Sequence, residues 1–287
     1  MSDAGQSRLR QQERGASPPS RHNLALLSTL SLVIAILMAV ASVAGLLYST
    51  AIYPTDDLLE SFVANDLVNL LLGVPILLGS LWLAQRGRLL GLLLWPGALF
   101  FVLYNHLVYL LAMPLGVASL LHLTLVTLSV YSLAGLLAGI DGQTVRQRLA
   151  GAVPERLAGG ILAALGLLFL LRAAGVMAGA IAGPALMAES EHALNVVDSM
   201  ISPALVIGGV LLWRRRAFGY VTGLGLLFQA SMLFVGLIIA LLVQPFLTTA
   251  PFVLADVVVV LILGLICFVP FALFVRGVAS GHTSSAS

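Results

Sequence analysis

The chain contains no lysine and a single cysteine, Cys267. Without a lysine amine it cannot form a Schiff base with retinal or a pyridoxal cofactor, and it lacks the lysine of a phosphate-binding Walker A loop. One cysteine rules out an internal disulfide and a CxxC redox pair. Several classes of enzyme are therefore excluded before any motif is considered.

Charge is also scarce in this sequence. Only 9% of the 287 residues are charged, whereas 60% are apolar, and the mean hydropathy is +1.07. Soluble globular proteins average about 25% charged and about 45–50% apolar residues. The composition therefore excludes a soluble domain and indicates an integral membrane protein built of helices.

Eight apolar runs are long enough to cross a bilayer, which takes about 20 residues of helix. Their predicted bounds are 24–48, 62–84, 89–112, 115–139, 158–183, 195–213, 218–243 and 253–275. We therefore predict an all-α, polytopic transmembrane bundle of eight spans in contact with the lipid bilayer.

The basic residues, all of them arginine, are distributed asymmetrically. If the eight spans alternate in direction, thirteen of the fourteen arginines fall on one side of the membrane, and the connections on the other side contain none. Those opposite connections carry acidic residues instead: Asp56, Asp57, Glu60, Glu189 and Glu191. Because arginine-rich connections stay in the cytoplasm, both termini are predicted to be cytoplasmic. Topology thus explains the excess of arginine, and we expect no nucleic-acid partner.

The two halves of the chain resemble each other. At an offset of 128 residues, prolines, arginines and glycines recur: Pro75 and Pro203, Arg86 and Arg214, Arg88 and Arg216, Gly91 and Gly219. Just before them, with one gap, the segment 66–69 aligns with 195–198. Since each half holds an even number of spans, the sequence predicts two parallel four-helix repeats, related by an axis along the membrane normal.

These patterns divide the chain into five predicted segments. They are a disordered cytoplasmic tail (1–22), a first four-helix repeat (23–140), a cytoplasmic linker (141–157), a second four-helix repeat (158–276) and a second disordered cytoplasmic tail (277–287). On the fifth span, Gly175, Gly179 and Gly183 form a stripe of small residues, which we expect to serve close helix packing. The sequence leaves open whether the chain forms a homo-oligomer.

Polar residues inside the spans mark a candidate site, because a charged side chain in the bilayer core costs about 2.5–3.5 kcal/mol on insertion scales. The candidates are Asp66, Asn69, Asn105, His106, His122, Arg172, Asn195, Asp198 and Asp256. His106 and His122 are each eight residues from Pro114, in the turn between the third and fourth spans, and therefore lie at the same depth. All the candidates fall in the outer half of the bundle, so we predict an outward-facing polar site lined by both repeats.

Structural interpretations of the same residues stand beside this one. Asp66 and Asp198 are also explained as acids at helix N-termini, and Asp256 as a cap-like residue. Arg172 is expected to form an ion pair with Asp198 or Asp66, with the binding of a substrate anion as its second interpretation. The two histidines are also explained as hydrogen-bonding residues between helices.

The sequence favours small-solute or proton-linked transport or binding, because repeated halves with buried polar residues are typical of secondary carriers. The predicted substrate or ion site comprises Asp66, Asn69, Asn105, His106, Arg172, Asn195 and Asp198. The sequence predicts no cofactor and no metal, and it favours a protein that is not an enzyme.

Two other functions are kept as alternatives. A membrane redox protein would use His106 and His122 as the axial ligands of one b-type haem, or would bind a quinone between them. An intramembrane metal hydrolase would bind zinc through these histidines together with Asp66 and Asp198. No HExxH-like spacing is present, which places the hydrolase last.

Two segments carry a resemblance to other proteins, residues 53–87 and residues 210–221 (VLLWRRRAFGYV). They are similar to segments of a group of bacterial multi-pass, eight-span membrane proteins of unknown function, and the resemblance covers about residues 24–276. It implies a repeated helical architecture in a bacterial inner membrane. It supplies no activity, cofactor or catalytic residue.

Overall fold

The computed structural model describes residues 21–183 and 188–280. Within these ranges the chain is all helical, without a strand, and eight helices are long and apolar enough to cross a membrane. The prediction of a multi-pass helical membrane protein is therefore confirmed. The predicted tails fall largely on residues 1–20 and 281–287, which lie outside the described residues.

Within residues 21–183 and 188–280, the bundle consists of eight long helical spans and two short helices. In chain order the helices are α1 (Arg21–Leu47), α2 (Ser49–Ile52), α3 (Asp56–Val68), α4 (Val74–Gln85), α5 (Leu89–Ala112), α6 (Val117–Gly139), α7 (Gly142–Leu149), α8 (Glu155–Ala182), α9 (Glu189–Trp213), α10 (Ala217–Leu247) and α11 (Leu254–Ser280). A π-helical turn, Asn69–Gly73, joins α3 to α4, so these two helices form one continuous second span. The last helix continues to Ser280, four residues beyond the predicted boundary at 276.

The second and sixth spans begin earlier than their apolar runs indicate. α3 starts at Asp56 and α9 at Glu189, each six residues before the predicted bound. The first turns of both helices are acidic, and the Thr55 hydroxyl caps α3 by accepting a backbone hydrogen bond at 3.4 Å. Carboxylates and hydroxyls at an N-terminus stabilise a helix without making it apolar. Hydropathy alone therefore misses these turns.

The longer helices place two acidic residues deep within their spans. Asp66 lies ten residues after Asp56, and Asp198 lies nine residues after Glu189, which corresponds to about 15 and 14 Å along the helix axis. Neither is a helix-start residue, so that interpretation is wrong for both. Asp256, in contrast, is exposed in the first turn of α11.

A proline inside a helix is expected to kink or break it, but the second and sixth spans stay helical through Pro75 and Pro203. Pro75 is the second residue after the π-helical turn, and Pro203 lies within α9. A π-helical turn holds one residue more than an α-helical turn, because its hydrogen bonds join residues five apart. The turn at 69–73 therefore accommodates the single gap that separates the aligned segments 66–69 and 195–198 from these prolines.

The turns that follow these two spans, 86–88 and 214–216, share one backbone geometry. Gly87 and Arg215, at matching positions, both have a left-handed backbone, with φ of 71° and 56°. In each turn the amides of three consecutive residues donate to carbonyl oxygens at corresponding positions, 2.8–3.2 Å away. A left-handed φ is uncommon for arginine. The conformational preference of Arg215 therefore does not explain why its backbone matches that of Gly87.

Two central helices, α5 and α10, cross through Gly97 and Gly225, which are also 128 residues apart. A Cβ atom built on Gly97 would lie 2.2 Å from the carbonyl oxygen of Gly225. Only glycine fits such a contact, and the two backbones therefore touch. Trp95 on α5 is 1% exposed and donates its indole N–H to Ser31 of α1 at 2.9 Å, which ties the first span to this core.

The connections between spans gather at two ends of the bundle. One is called here the acidic end, and its residues are Asp56, Asp57, Glu60, Glu189 and Glu191. There, Asp57 accepts hydrogen bonds from the backbone N–H and the hydroxyl of Ser190 at 2.9 and 2.6 Å, which joins the second and sixth spans. At the other end, the arginine end, buried Glu155 accepts a hydrogen bond from the Tyr220 hydroxyl at 2.9 Å and lies 3.8 Å from Arg215.

Close packing of the fifth and sixth spans uses other glycines than the predicted stripe. A Cβ atom on Gly159 of α8 would lie 2.6 Å from the carbonyl oxygen of Gly209 on α9. Around Gly175 and Gly179, no described atom outside their own helix lies within 4 Å of a Cβ position. In the described part of the chain, the stripe does not provide the close packing expected of it.

Candidate functional site

The predicted site residues separate into two groups, both of which contact α5. The Asp66 group consists of Tyr53, Asn65, Asp66, Asn105 and Tyr109, and it adjoins a histidine pair, His106 and His122. The Arg172 group consists of Tyr104, Arg172, Asn195 and Asp198. The sequence predicts one shared site, whereas the structure gives each carboxyl group its own set of partners.

Asp66 is buried, with 1% of its surface exposed. Its carboxylate oxygens accept hydrogen bonds from two tyrosine hydroxyls, one from Tyr53 and one from Tyr109, the latter at 3.0 Å. Tyr53 follows the short helix α2, which returns the chain from the first span toward the second. Tyr109 lies on α5 and stacks on Phe62 of α3, with ring centroids 4.3 Å apart. Three segments thus enclose one carboxyl group.

Asparagine side chains extend this network along α5. The Asn65 amide donates to the Tyr109 hydroxyl at 3.2 Å and to the Asn105 side-chain carbonyl at 3.3 Å. The Asn105 amide in turn donates to the Phe101 backbone carbonyl at 3.0 Å. The chain of hydrogen bonds therefore runs from Asn105 to Asp66 through groups that both donate and accept.

The two histidines, predicted to share one depth, contact each other directly. His106 Nδ1 and His122 Nδ1 are 3.0 Å apart, and the rings stack with centroids at 5.2 Å. Two neutral imidazoles form this bond when one Nδ1 carries a hydrogen and the other accepts it. His106 Nε2 is buried and has no hydrogen-bond partner among the described residues. The His122 ring also stacks on Tyr109 at 4.6 Å, which places the pair beside the Asp66 group.

The Arg172 group contains the ion pair that the sequence left unassigned between two acids. Arg172 Nη1 lies 3.3 Å from Asp198 Oδ2 and donates to the Asn195 side-chain carbonyl at 3.4 Å. The Tyr104 hydroxyl donates to the other Asp198 oxygen at 2.8 Å. The partner of Arg172 is therefore Asp198 and not Asp66.

The two groups differ in exposure. The Arg172 side chain is 44% exposed and that of Asp198 is 7% exposed, whereas Asp66 and its tyrosine partners are enclosed. Consecutive residues of α5, Tyr104 and Asn105, reach the two groups. A single helix thus connects an ion pair whose arginine is partly exposed with an enclosed carboxyl group at a similar depth.

Some predicted residues do not join either group, and others were missed. Asn69 lies in the π-helical turn, fully buried, and its side-chain amide has no hydrogen-bond partner among the described residues. Tyr53, Asn65 and Tyr104 carry hydrogen bonds that the sequence pattern did not indicate. Asn65 adjoins Asp66 and Tyr104 adjoins Asn105, so runs of adjacent polar residues in an apolar span were the available signal.

The histidine pair does not fit the axial ligation of a haem. Axial nitrogens lie on opposite faces of the porphyrin with the iron between them, whereas the two Nδ1 atoms are within hydrogen-bond distance. A metal hydrolase finds no support either, because the described residues contain no group of three or more His, Cys, Asp or Glu side chains able to hold a metal ion.

Comparison of the chain with protein-family models, with curated proteins and with solved structures gave no match. The fold and the site therefore define a class, a multi-pass helical membrane protein with polar groups buried among its spans. The resemblance to bacterial eight-span proteins stays a prediction.

Proposed function

We propose that the chain is a proton-linked transport or solute-binding protein of a bacterial inner membrane, in which Asp66 is the proton-binding group. The observation that carries the proposal is the setting of Asp66: it is enclosed, about 15 Å along its helix, and bonded to two tyrosine hydroxyls. Intramembrane carboxyl groups of this kind are costly and are typical of ion and proton pathways.

A proton is the counterion best suited to Asp66. The ion pairs of Arg172 with Asp198 and of Arg215 with Glu155 do not include Asp66, whose carboxylate oxygens accept from tyrosine hydroxyls instead. Uptake of a proton removes the buried charge, and the protonated carboxyl group keeps an oxygen to accept from a tyrosine hydroxyl. Proton binding and release at this carboxyl group would therefore change the charge of the bundle interior by one unit.

The histidine pair supports a role in handling protons. Its Nδ1–Nδ1 hydrogen bond holds one shared hydrogen, and the unpartnered His106 Nε2 is a further position where a proton can bind when His106 Nδ1 is the donor of that bond. The pair lies against Tyr109, the residue that also bonds Asp66.

We assign the solute side of the protein to the Arg172 group. Its guanidinium uses Nη1 for Asp198 and Asn195, and nearly half of the side chain is exposed. A half-exposed, partly engaged guanidinium offers further N–H donors to an approaching polar solute. Tyr104 and Asn105 of α5 then provide the physical connection to the Asp66 group.

Two parallel four-helix repeats are part of this proposal. Support comes from pairs at the 128-residue offset: the turns 86–88 and 214–216 share backbone geometry, and Gly97 meets Gly225. Paired repeats around a site near the membrane interior are a common arrangement in secondary transporters. The arginines gathered at one end support cytoplasmic termini by the positive-inside rule.

The proposal is tested by comparing the wild type with Asp66→Asn in proteoliposomes. Infrared difference spectra between acidic and alkaline buffer should show a buried carboxyl group that takes up a proton, and Asp66→Asn should lose this band. Asp256→Asn is the matched control, because Asp256 is an exposed carboxylate in the first turn of its span. A panel of small solutes is then screened for solute-dependent proton flux with an internal pH-sensitive dye.

We expect Asp256→Asn to behave as wild type in both measurements and Asp66→Asn to lose both signals. An unchanged carboxyl band in Asp66→Asn would show that Asp66 does not bind the proton. A band that depends on Asp66, together with solute flux that does not, would separate proton binding from transport and overturn the coupling.

A further inference from the structure

An apolar groove of about 270 Å³ lies at the glycine crossing, on the arginine side of the bundle. Gly97 and Gly225 form part of its floor, and its walls come from α6 and α9. α6 packs against α5, and α9 packs against both α5 and α10, but α6 and α9 make little contact with each other. The groove is therefore a gap between neighbouring spans.

The lining of the groove is hydrocarbon. Its lining includes Phe100, Leu137, Ile207 and Phe218, and the one hydroxyl side chain among the lining residues is Thr222. The Thr222 hydroxyl donates to the Phe218 backbone carbonyl at 3.0 Å and is satisfied within its own helix. A polar solute would find no partner here, so the groove is suited to a hydrocarbon chain.

In the second half, the residue that corresponds to Phe100 packs against another span. Phe228 lies 128 residues after Phe100 and stacks on Phe271 of α11, with ring centroids 5.6 Å apart. Phe100 lines the groove instead. An unfilled gap loses dispersion contacts on every lining atom, which favours occupation by a chain from the surrounding bilayer.

Positive charge lies at the end of the groove that faces the membrane surface. Arg214 follows Ile207 by seven residues, or two helical turns, and is therefore on the same face of α9. It is exposed, as is Arg216 at the start of α10, whereas Arg215 is paired with Glu155. Guanidinium groups at this position would meet the phosphate of a lipid whose chain enters the groove.

We infer that the groove binds one acyl chain of an anionic phospholipid, with the lipid phosphate at Arg214. The volume is about nine times the roughly 30 Å³ that one water occupies in the liquid, which accommodates a length of hydrocarbon chain. A helix of a second copy, about 10–12 Å across, is too wide for it. The inference does not depend on the proposed transport activity.

Native mass spectrometry of the full chain in detergent tests this inference. Phosphatidylglycerol and phosphatidylcholine with identical acyl chains are added in turn to delipidated protein, and the fraction that retains one lipid is measured. We expect phosphatidylglycerol to be retained at least about fivefold better, because the phosphatidylcholine headgroup carries no net charge to pair with arginine. Equal retention of the two lipids would overturn the assignment of the headgroup site.

Two substitutions separate the chain site from the headgroup site. Ala204→Phe fills the groove from an exposed wall position and should reduce retention of both lipids to the level of nonspecific binding. Ala272→Phe is its control, because Ala272 is an exposed alanine on α11 that does not line the groove. Arg214→Gln should abolish the preference for phosphatidylglycerol, whereas Arg146→Gln on α7 should preserve it.

The outcome that contradicts the inference is full lipid retention in Ala204→Phe. If that variant does not yield monodisperse protein, Ile207→Phe replaces it, since Ile207 is 57% exposed and tolerates a larger side chain. Retention in Ile207→Phe equal to that in Ala272→Phe would also show that the groove is not the lipid site.

Discussion

Arg172 and Asp198 pair across two neighbouring spans, with 3.3 Å between Nη1 and Oδ2, at a depth where both would be costly alone. The carboxylate is held from its other side by the Tyr104 hydroxyl. Removal of one partner therefore affects three helices, α5, α8 and α9. This arrangement makes the pair a sensitive point for a substitution test.

Asp198→Ala should destabilise the protein, because it leaves the Arg172 guanidinium without a carboxylate and the Tyr104 hydroxyl without its acceptor. The cost should be about 1–3 kcal/mol, below the roughly 3–5 kcal/mol of a fully buried pair, since the protein encloses only part of the Arg172 side chain. Thermal unfolding and the yield of monodisperse protein measure the effect. The double variant with Arg172→Leu should recover part of the loss, and Asp256→Ala should show none. Normal stability of Asp198→Ala alone would refute the pairing.

Gly91→Ala and Gly219→Ala should destabilise the protein to a similar extent. A Cβ atom on Gly91 would lie 2.3 Å from the backbone nitrogen of Ala84, and one on Gly219 would lie 2.3 Å from that of Leu212. Overpacking against backbone should cost at least about 2 kcal/mol in each case. Thermal unfolding of the two variants is the measurement.

The control for this pair is Gly175→Ala, because a Cβ atom at that position meets no described atom outside its helix. Alanine is the better helix former, so this change should be neutral or stabilising by up to about 1 kcal/mol. A large cost at Gly91 with none at Gly219 would argue against equivalent repeats.

Tyr109→Phe should cost more stability than Tyr53→Phe. Both remove a donor to Asp66, but the Tyr109 hydroxyl also accepts from Asn65. An unsatisfied buried polar group costs about 1–3 kcal/mol. The unfolding temperature of Tyr109→Phe should be lower than that of Tyr53→Phe. Tyr131→Phe is the control, because Tyr131 is 71% exposed. The reverse order would show that the Asn65 bond contributes little.

Asp141, which lies outside the spans, predicts that the stability of the short helix α7 depends on pH. It caps α7 by accepting from the Thr144 hydroxyl at 2.6 Å and the Gln143 amide at 2.9 Å, and these bonds lower the pKa of its carboxyl group. A carboxyl group whose pKa is lower in the folded state stabilises that state above the unfolded pKa, here about 3.9. This contribution is lost as the pH falls through the lower folded-state value.

Hydrogen exchange measures this effect at the α7 amides. Their protection should decrease in the acidic range for wild type, and Asp141→Ala should be weakly protected at every pH. Acid-sensitive protection that persists in Asp141→Ala would assign the effect to another group.

The number and order of the spans follow from the sequence because lipid requires long, nearly uncharged helices. The helix bounds at the acidic end could not be predicted from hydropathy. The residues from Asp56 to Glu60 and those just after Glu189 are helical but polar. The π-helical turn is also invisible to hydropathy, because Asn69–Gly73 keeps the apolar composition of its neighbours. In the sequence, the π-helical turn corresponds to one extra residue between Asn69 and Pro75, compared with the segment between Asp198 and Pro203.

The sequence predicted the relative depth of the two histidines in the candidate site well. The matched depth expected for His106 and His122 agrees with their contact at 3.0 Å. The partner of Arg172 could not be chosen by depth, because Asp66 and Asp198 lie at nearly the same level of their helices. The pairing of Arg172 with Asp198 depends on how closely α8 packs on α9. That distance is set by glycines elsewhere in the two helices, Gly159 and Gly209.

The crossing of Gly97 and Gly225 also limits how the protein can change during evolution. Most tight contacts between helices can be rescued after a mutation, because a larger residue on one side is offset by a smaller residue on the other. Here both residues are glycine, so neither can be replaced by a smaller residue. A substitution at either glycine has no compensating partner across the contact, and the two positions should therefore be among the most invariant in related sequences.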